Sequence, residues 1–271
     1  FGREVFTKPG FLKAGWLDEY IPPPKILIDD LIPASAFGVV GSGGAAKTTI
    51  MLKVMIHIIL GKPIWGRHIN SPGKCLFISA EDSLDLITYR IQKICQAMEL
   101  SDNEKRQVER GLCIHDVSGQ VLRFVEVDKS GNFTQTRHID DIIHLYADKG
   151  VQLACFDPTV FFGPGERFIN DAEAALMQCA RRISKGLGDI ATCYIHHMSK
   201  QGASEKQTTA HAGRGGSAFG DNARAMWVIH PFELSDKNKP TVPLEINEEA
   251  KEDGRAIYVT ISKFSFAKRI K

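Results

Sequence analysis

The sequence predicts an α/β fold, a mainly parallel central sheet with helices on both faces, and three observations predict it. Apolar, strand-like runs recur at Lys74 to Ser79, Gly111 to Asp116, Val151 to Asp157, Ala191 to His196 and Ala225 to His230. Between them lie helical stretches, Thr48 to Leu60, Ser83 to Met98, Arg137 to Lys149 and Asp171 to Leu187, with apolar residues three and four apart. Strand and helix in alternation pack as helices over a parallel sheet. Beyond residue 231 the pattern changes to alternating segments, Val242 to Ile246 and Ala256 to Lys263, around the polar turn Glu248 to Gly254. That change predicts a C-terminal antiparallel hairpin at the sheet edge.

Composition bounds the reading. At 271 residues, 43% hydrophobic and 24% charged, the chain can bury one large core. A net charge of +2 gives a weak overall field, so any nucleic-acid contact rests on local basic loops and on repetition of subunits. The six cysteines lie far apart with no C-x-x-C pair, most of them in apolar runs, as expected of reduced core thiols in a cytoplasmic protein. The longest greasy stretch, Ile50 to Leu60, is interrupted by Lys53 and His57 and is too short for a bilayer. With no signal peptide ahead of it, no membrane partner is expected.

The first element, residues 1–36, carries Trp16, Pro22-Pro23-Pro24 and Pro33 and reads as an N-terminal arm or linker, laid on its own domain or on a neighbouring subunit. Next comes Gly41-Ser42-Gly43-Gly44-Ala45-Ala46-Lys47-Thr48-Thr49, between the apolar Phe37 to Val40 and the helical run from Ile50. A glycine-rich turn from strand to helix is the context of a phosphate-binding loop. Its backbone N–H groups and the helix's positive end favour an anion, Lys47 can reach the β- and γ-phosphates of ATP, and Thr48 can ligate Mg²⁺. Ala46 stands where the pattern has glycine, which predicts a slightly altered loop that still binds phosphate. Residues 37–271 then read as one ATPase domain.

The strands that follow end in polar residues, at the sheet edge where ligands of parallel sheets gather. Cys75 to Ser79 leads into Ala80-Glu81-Asp82; Glu81 is the candidate to polarise the attacking water, with Asp82 a candidate cap for the next helix. Val151 to Phe156 ends in Asp157, the candidate holder of Mg²⁺ through its waters. Ala191 to Ile195 ends in His196-His197. Neighbours on a strand face opposite ways, so a shared zinc site is not expected; one of the two, with His197 the named candidate, would touch the γ-phosphate and relay its presence to the loop beginning at Met198, a satisfied core histidine being the alternative. Met198 to Gly216 has no apolar period and reads as a mobile loop. Asn170-Asp171 offers a cap to the helix after it.

The remaining candidates are cations. Arg214, Arg224, Lys263 and Lys268 compete to act as a trans finger on the phosphates of an adjacent subunit, with nucleic-acid contact and plain solvated charge as the rival roles.

Taken in order, these segments resemble the RecA-like P-loop ATPases, and among them the hexameric replicative DNA helicases of the plasmid RepA type, over roughly residues 28 to 268. The likeness rests on the loop ending Ala46-Lys47-Thr48, Ala80-Glu81-Asp82, Phe156-Asp157-Pro158 with Asn170-Asp171, Ile195-His196-His197 with Lys200, Arg214 to Ala218 with Asp221 to Arg224, and Lys263. The resemblance implies a RecA-like core and a homo-oligomeric ring with ATP at each interface and single-stranded DNA in the channel. A primase or replication initiator is a further partner it suggests. Two loops would face the DNA: Thr159 to Asn170, with Phe161, Phe162 and Arg167, and Met198 to Gly216, with Lys200, Lys206, His211 and Arg214. Cations would neutralise phosphates and rings stack on bases, core packing being the alternative for the two phenylalanines. The implied function is an ATP-dependent helicase or translocase; an ATP-gated assembly or regulatory protein, or a filament-forming recombinase, is the alternative on the same fold.

Overall fold

The computed structural model describes residues 14–165, 169–205, 207–213, 217–233 and 255–266. The chain enters through a small antiparallel pair, β1 (Ile26–Ile28) and β2 (Ile32–Pro33). Leu27, Ile28 and Ile32 are buried in the main core, and the Trp227 indole N–H donates to the Leu31 carbonyl at 3.0 Å. Residues 26–33 are therefore part of the domain rather than of an arm, because each such apolar side chain gains about 1.5–3 kcal/mol by burial. In residues 14–25 the side chains of Leu17, Tyr20 and Ile21 are exposed.

Then follow β3 (Ala36–Gly41), α1 (Lys47–Leu60), β4 (Lys74–Ser79), α2 (Leu84–Ala97), α3 (Asp102–Gly111) and β5 (Leu112–Asp116). A small hairpin, β6 (Val125–Val127) with β7 (Phe133–Gln135), precedes α4 (His138–Tyr146) and β8 (Val151–Asp157). After a single 3₁₀ turn at Thr159–Phe161 come α5 (Ile169–Gly186), β9 (Ala191–His197), α6 (Lys200–Ser204), α7 (Ala218–Asn222), β10 (Ala225–Glu233) and β11 (Arg255–Phe264). The main sheet has the order β11-β10-β3-β9-β8-β4-β5, parallel throughout except for β11.

Alternation along the strands divides the core in two. Phe37, Val39, Cys193, Ile195 and Trp227 face α1, α2 and α3, whereas Val40, Tyr194, Met226 and Val228 face α4, α5 and α7. No helix among the described residues is long and apolar enough to cross a membrane. The six thiols are free, five of them buried, and burial pushes those of Cys75, Cys155 and Cys179 up.

Several expectations change. An antiparallel partner of β11 is β10, over Ala225 to Glu233; the expected hairpin strand Val242 to Ile246 lies outside the described residues. Met198 to Gly216 is not simply an open loop. It contains α6, Met198 bridges Gly213, and Ala212 is buried. Phe162 is buried, stacked on Phe124 at 4.8 Å beside Phe156 and Tyr194, while Phe161 stays 46% exposed. Core packing claims the one ring and leaves the other to solvent.

Candidate nucleotide site

Parallel strands bring their carboxyl ends to one edge, and four adjacent strands set the site there: β3, β9, β8 and β4. At the end of β3 the chain turns through Ser42 to Ala46 into α1. Ala46, at φ 59° and ψ 24°, holds the left-handed conformation that glycine favours. The loop thus keeps the turn and accepts backbone strain at that residue, on the order of 1–2 kcal/mol. Gly43 and Gly44 face open space, and Gly44 has φ 73°.

Helix α1 has no side-chain cap and no acid in its first turn. Its first N–H groups, at Lys47, Thr48 and Thr49, are therefore left for an anion in the mouth of the loop. Lys47 lies over that mouth, its ammonium donating to the carbonyls of Gly41 at 3.0 Å and Ser42 at 2.8 Å. Burial lowers its pKa, and Asp157 and Glu81 oppose the shift.

Thr48 Oγ1 donates to Asp157 Oδ2 at 2.5 Å across the face of the sheet. Asp157 is 6% exposed, and burial pushes its carboxyl up to about 6 against the pull of Thr48 and Lys47. Glu81 stands just past β4, its side chain 58% exposed and 3.8 Å from His197 Nε2. Gly41 and His197 are paired across β3 and β9, so the histidine sits beside the first residue of the loop. Burial, then Lys47, lowers the His197 pKa, with Glu81 acting against them, which favours the neutral imidazole at neutral pH. His196 faces the opposite side of the sheet, 3.5 Å from Glu173. Among the described residues no group of three or more His, Cys, Asp and Glu side chains is gathered for a metal ion.

Asp82 does not cap α2. Ser83 does, accepting from Leu86 N–H, and Asp82 pairs with Arg90 instead. Arg224 follows α7 with its backbone N–H on the Ala36 carbonyl, and Lys263 Nζ donates to the carbonyls of Gly220 and Asp221, each at 2.9 Å. Lys200 lies in α6. Arg167, Lys206, Arg214 and Lys268 lie outside the described residues. Sequence reasoning missed Glu173, a buried carboxylate in α5, whose place among apolar Ala172, Ala175 and Leu176 marks it only as one acid on a helix face.

The residues fit Mg²⁺ and a nucleoside triphosphate. An open glycine cradle, an uncapped helix N-terminus and an ammonium suit phosphate, and a hydroxyl with a carboxylate is a hard-oxygen pair of the kind Mg²⁺ takes. Bound there, Mg·ATP would supply a polarised γ-phosphoryl group; loop amides and Lys47 would hold its charge, Thr48 and Asp157 would hold the metal, and exposed Glu81 would accept the proton of a water.

Fold and site together define a P-loop ATPase. The chain belongs to the family described as the AAA domain, whose family model matches residues 3–203 of the 271. No curated protein matches it. The matched span begins ahead of β1, in keeping with the burial of Leu27, Ile28 and Ile32.

Proposed function

We propose that this ATPase is an ATP-dependent helicase or translocase acting as a ring, hexameric by its likeness to RepA-type helicases, on single-stranded DNA in the replication of a plasmid, phage or integrated element. One observation carries the reading: a cationic cluster stands far from the chain's own phosphate loop. Arg224 is exposed and hydrogen-bonded through its backbone to Ala36, at the start of β3, whereas the loop follows Gly41 at its end. Five residues of strand, about 16 Å at ~3.3 Å per residue, separate them. Burial, then Arg224, lowers the Arg181 pKa; burial also lowers that of Lys263, opposed by Asp221, with Arg224 adding a smaller push downward.

Such a cluster favours an anion, and the chain's own nucleotide is out of reach. A neighbour's phosphates are the anion that a ring would bring, which makes hydrolysis depend on assembly. DNA contact falls to the loops after β8 and β9, with exposed Phe161 at hand for a base.

The test is ATP turnover with and without single-stranded DNA, together with particle mass and displacement of a labelled strand. Stimulated turnover, a closed oligomer and displacement are expected. A solitary particle whose turnover ignores DNA at saturating Mg·ATP overturns the proposal, and stimulation without displacement or movement favours the regulatory or recombinase alternative.

A further inference from the structure

Glu173 is an acid from the middle of the fold, buried to 5% residual exposure, that the nucleotide chemistry does not use. One of its oxygens, Oε1, lies 3.5 Å from His196 Nε2. The other, Oε2, accepts the backbone N–H of Phe219 at 3.2 Å. Phe219 is the second residue of α7, whose own N-cap residue, Ser217, makes no side-chain cap. The Phe219 ring in turn packs on the His196 imidazole at 4.9 Å between centroids. A single carboxylate thus ties α5, β9 and α7 together, and burying it without such partners would cost several kcal/mol.

What it ties is the base of the segment after β9. Gly213 lies so close to His196 that a Cβ would come within 2.8 Å of its Cδ2, and Gly220 so close to Ala210 that a Cβ would come within 2.3 Å of its carbonyl oxygen. Ala210 to Gly213 are therefore clamped between His196 and α7. The other end of α7 is held by Lys263 on Gly220 and Asp221 and by Arg181 Nη1 on the Asn222 carbonyl at 2.9 Å. Arg224 follows directly. On the opposite face of the same strand end, His197 meets Glu81 and the phosphate loop.

We infer that Glu173 is a positioning residue that couples the nucleotide site to the segment Ala210 to Gly213 and to α7, through His196 and the strand end it shares with His197. A displacement of His197 by a terminal phosphate moves His196 by the shared backbone, and Glu173 passes it to α7 because the packed interior cannot absorb it locally. The inference rests on His197 as the terminal-phosphate contact and does not require DNA.

Glu173→Gln tests it, since the amide keeps an acceptor for Phe219 N–H and loses one carboxylate oxygen. Hydrogen exchange over residues 207–223 is measured in the full chain with and without Mg·ATPγS, beside kcat and KM for ATP. In the unmodified protein nucleotide changes the exchange of this segment by about five-fold or more, the usual size of a coupled response. In Glu173→Gln that change is lost while KM for ATP holds within about two-fold, a split that simple destabilisation does not produce. Glu173→Asp, which retains both oxygens on a shorter stem, restores part of it. Should Glu173→Gln not fold, His196→Gln carries the same measurement from the other side of the contact. Retention of the full nucleotide response in either variant, or no response in the unmodified protein, overturns the inference. Lost stimulation by DNA with an intact exchange response speaks against the translocase proposal alone.

Discussion

Replacing Ala46 by glycine isolates what the altered phosphate loop costs. Ala46 sits at φ 59°, ψ 24°, between Gly44 at φ 73° and the first turn of α1. An L-residue pays about 1–2 kcal/mol in this region, and the extra freedom of glycine in the unfolded chain offsets about 0.4–1 kcal/mol of the relief. Ala46→Gly is therefore expected to stabilise by about 0.5–1 kcal/mol, a rise in Tm of about 2 °C for a chain of this size. Its affinity for Mg·ATP should stay within a few-fold, because the turn is already made. Thermal unfolding followed by circular dichroism, with nucleotide titration alongside, reads both quantities. Ala46→Val supplies the opposite sign, since a β-branched residue in this conformation is a true outlier. A fall in Tm of 2 °C or more for Ala46→Gly, or no difference between the glycine and valine variants, would refute the strain argument.

Other outcomes follow from the same geometry. The Asp157 carboxyl is raised by burial to about 6 from 3.8, so the folded chain holds that proton more tightly than the unfolded one. Its contribution to stability is present below 3.8 and is lost as pH rises through about 6, on the order of 3 kcal/mol in all. Asp157→Asn should thus be the more stable protein at pH 7.5 in the absence of Mg·ATP, match the parent near pH 3.5, and hydrolyse no ATP; equal pH profiles of denaturant midpoint would count against it. In the parent, the Mg²⁺ concentration needed for half-maximal turnover should climb as pH falls below 6, as protonation competes with the metal. Phe162→Ala, emptying a site among Phe124, Phe156 and Tyr194, should lose about 3–5 kcal/mol, whereas exposed Phe161→Ala should lose less than about 0.5 kcal/mol, both by urea unfolding. Lys47→Ala should stay folded and lose ATP turnover; undiminished turnover would remove the loop from the mechanism.

The strand ends that frame the candidate site were legible because each motif combines two local signals, an apolar run and a polar residue at its end. Val151 to Asp157 and Lys74 to Ser79 are strands over those same bounds. Where the signal is short or polar, sequence reading misses. Helix α3 buries little beyond Val108 and Gly111, so it lacks an apolar period, although its capping box, Ser101 with Glu104, is written in the chain. The β6–β7 hairpin has three-residue strands around Asp128 to Gly131, and Leu27 and Ile28, which go into the core, sit in a strand of only three residues close behind the prolines at 22–24.

Long-range placement was not legible at all. Neither the order β10-β3-β9 nor the packing of Phe219 on His196 can be read from spacing, because both depend on residues far apart in the chain meeting in three dimensions. The placement of His196 and His197 was half visible: opposite faces follow from the strand period, but Glu173 as the partner of one and Glu81 of the other does not.

A subunit-mixing experiment tests most directly whether the site is completed by a neighbour. Lys47→Ala and Arg224→Ala are purified separately, each with little turnover, then dissociated, mixed one to one and reassembled with Mg·ATP and single-stranded DNA. If the cation acts in trans, about a quarter of interfaces pair an intact loop with an intact arginine, and turnover should return to about a quarter of the parent rate. Turnover no higher than the sum of the two variants alone, or an Arg224→Ala protein as active as the parent, would contradict the account.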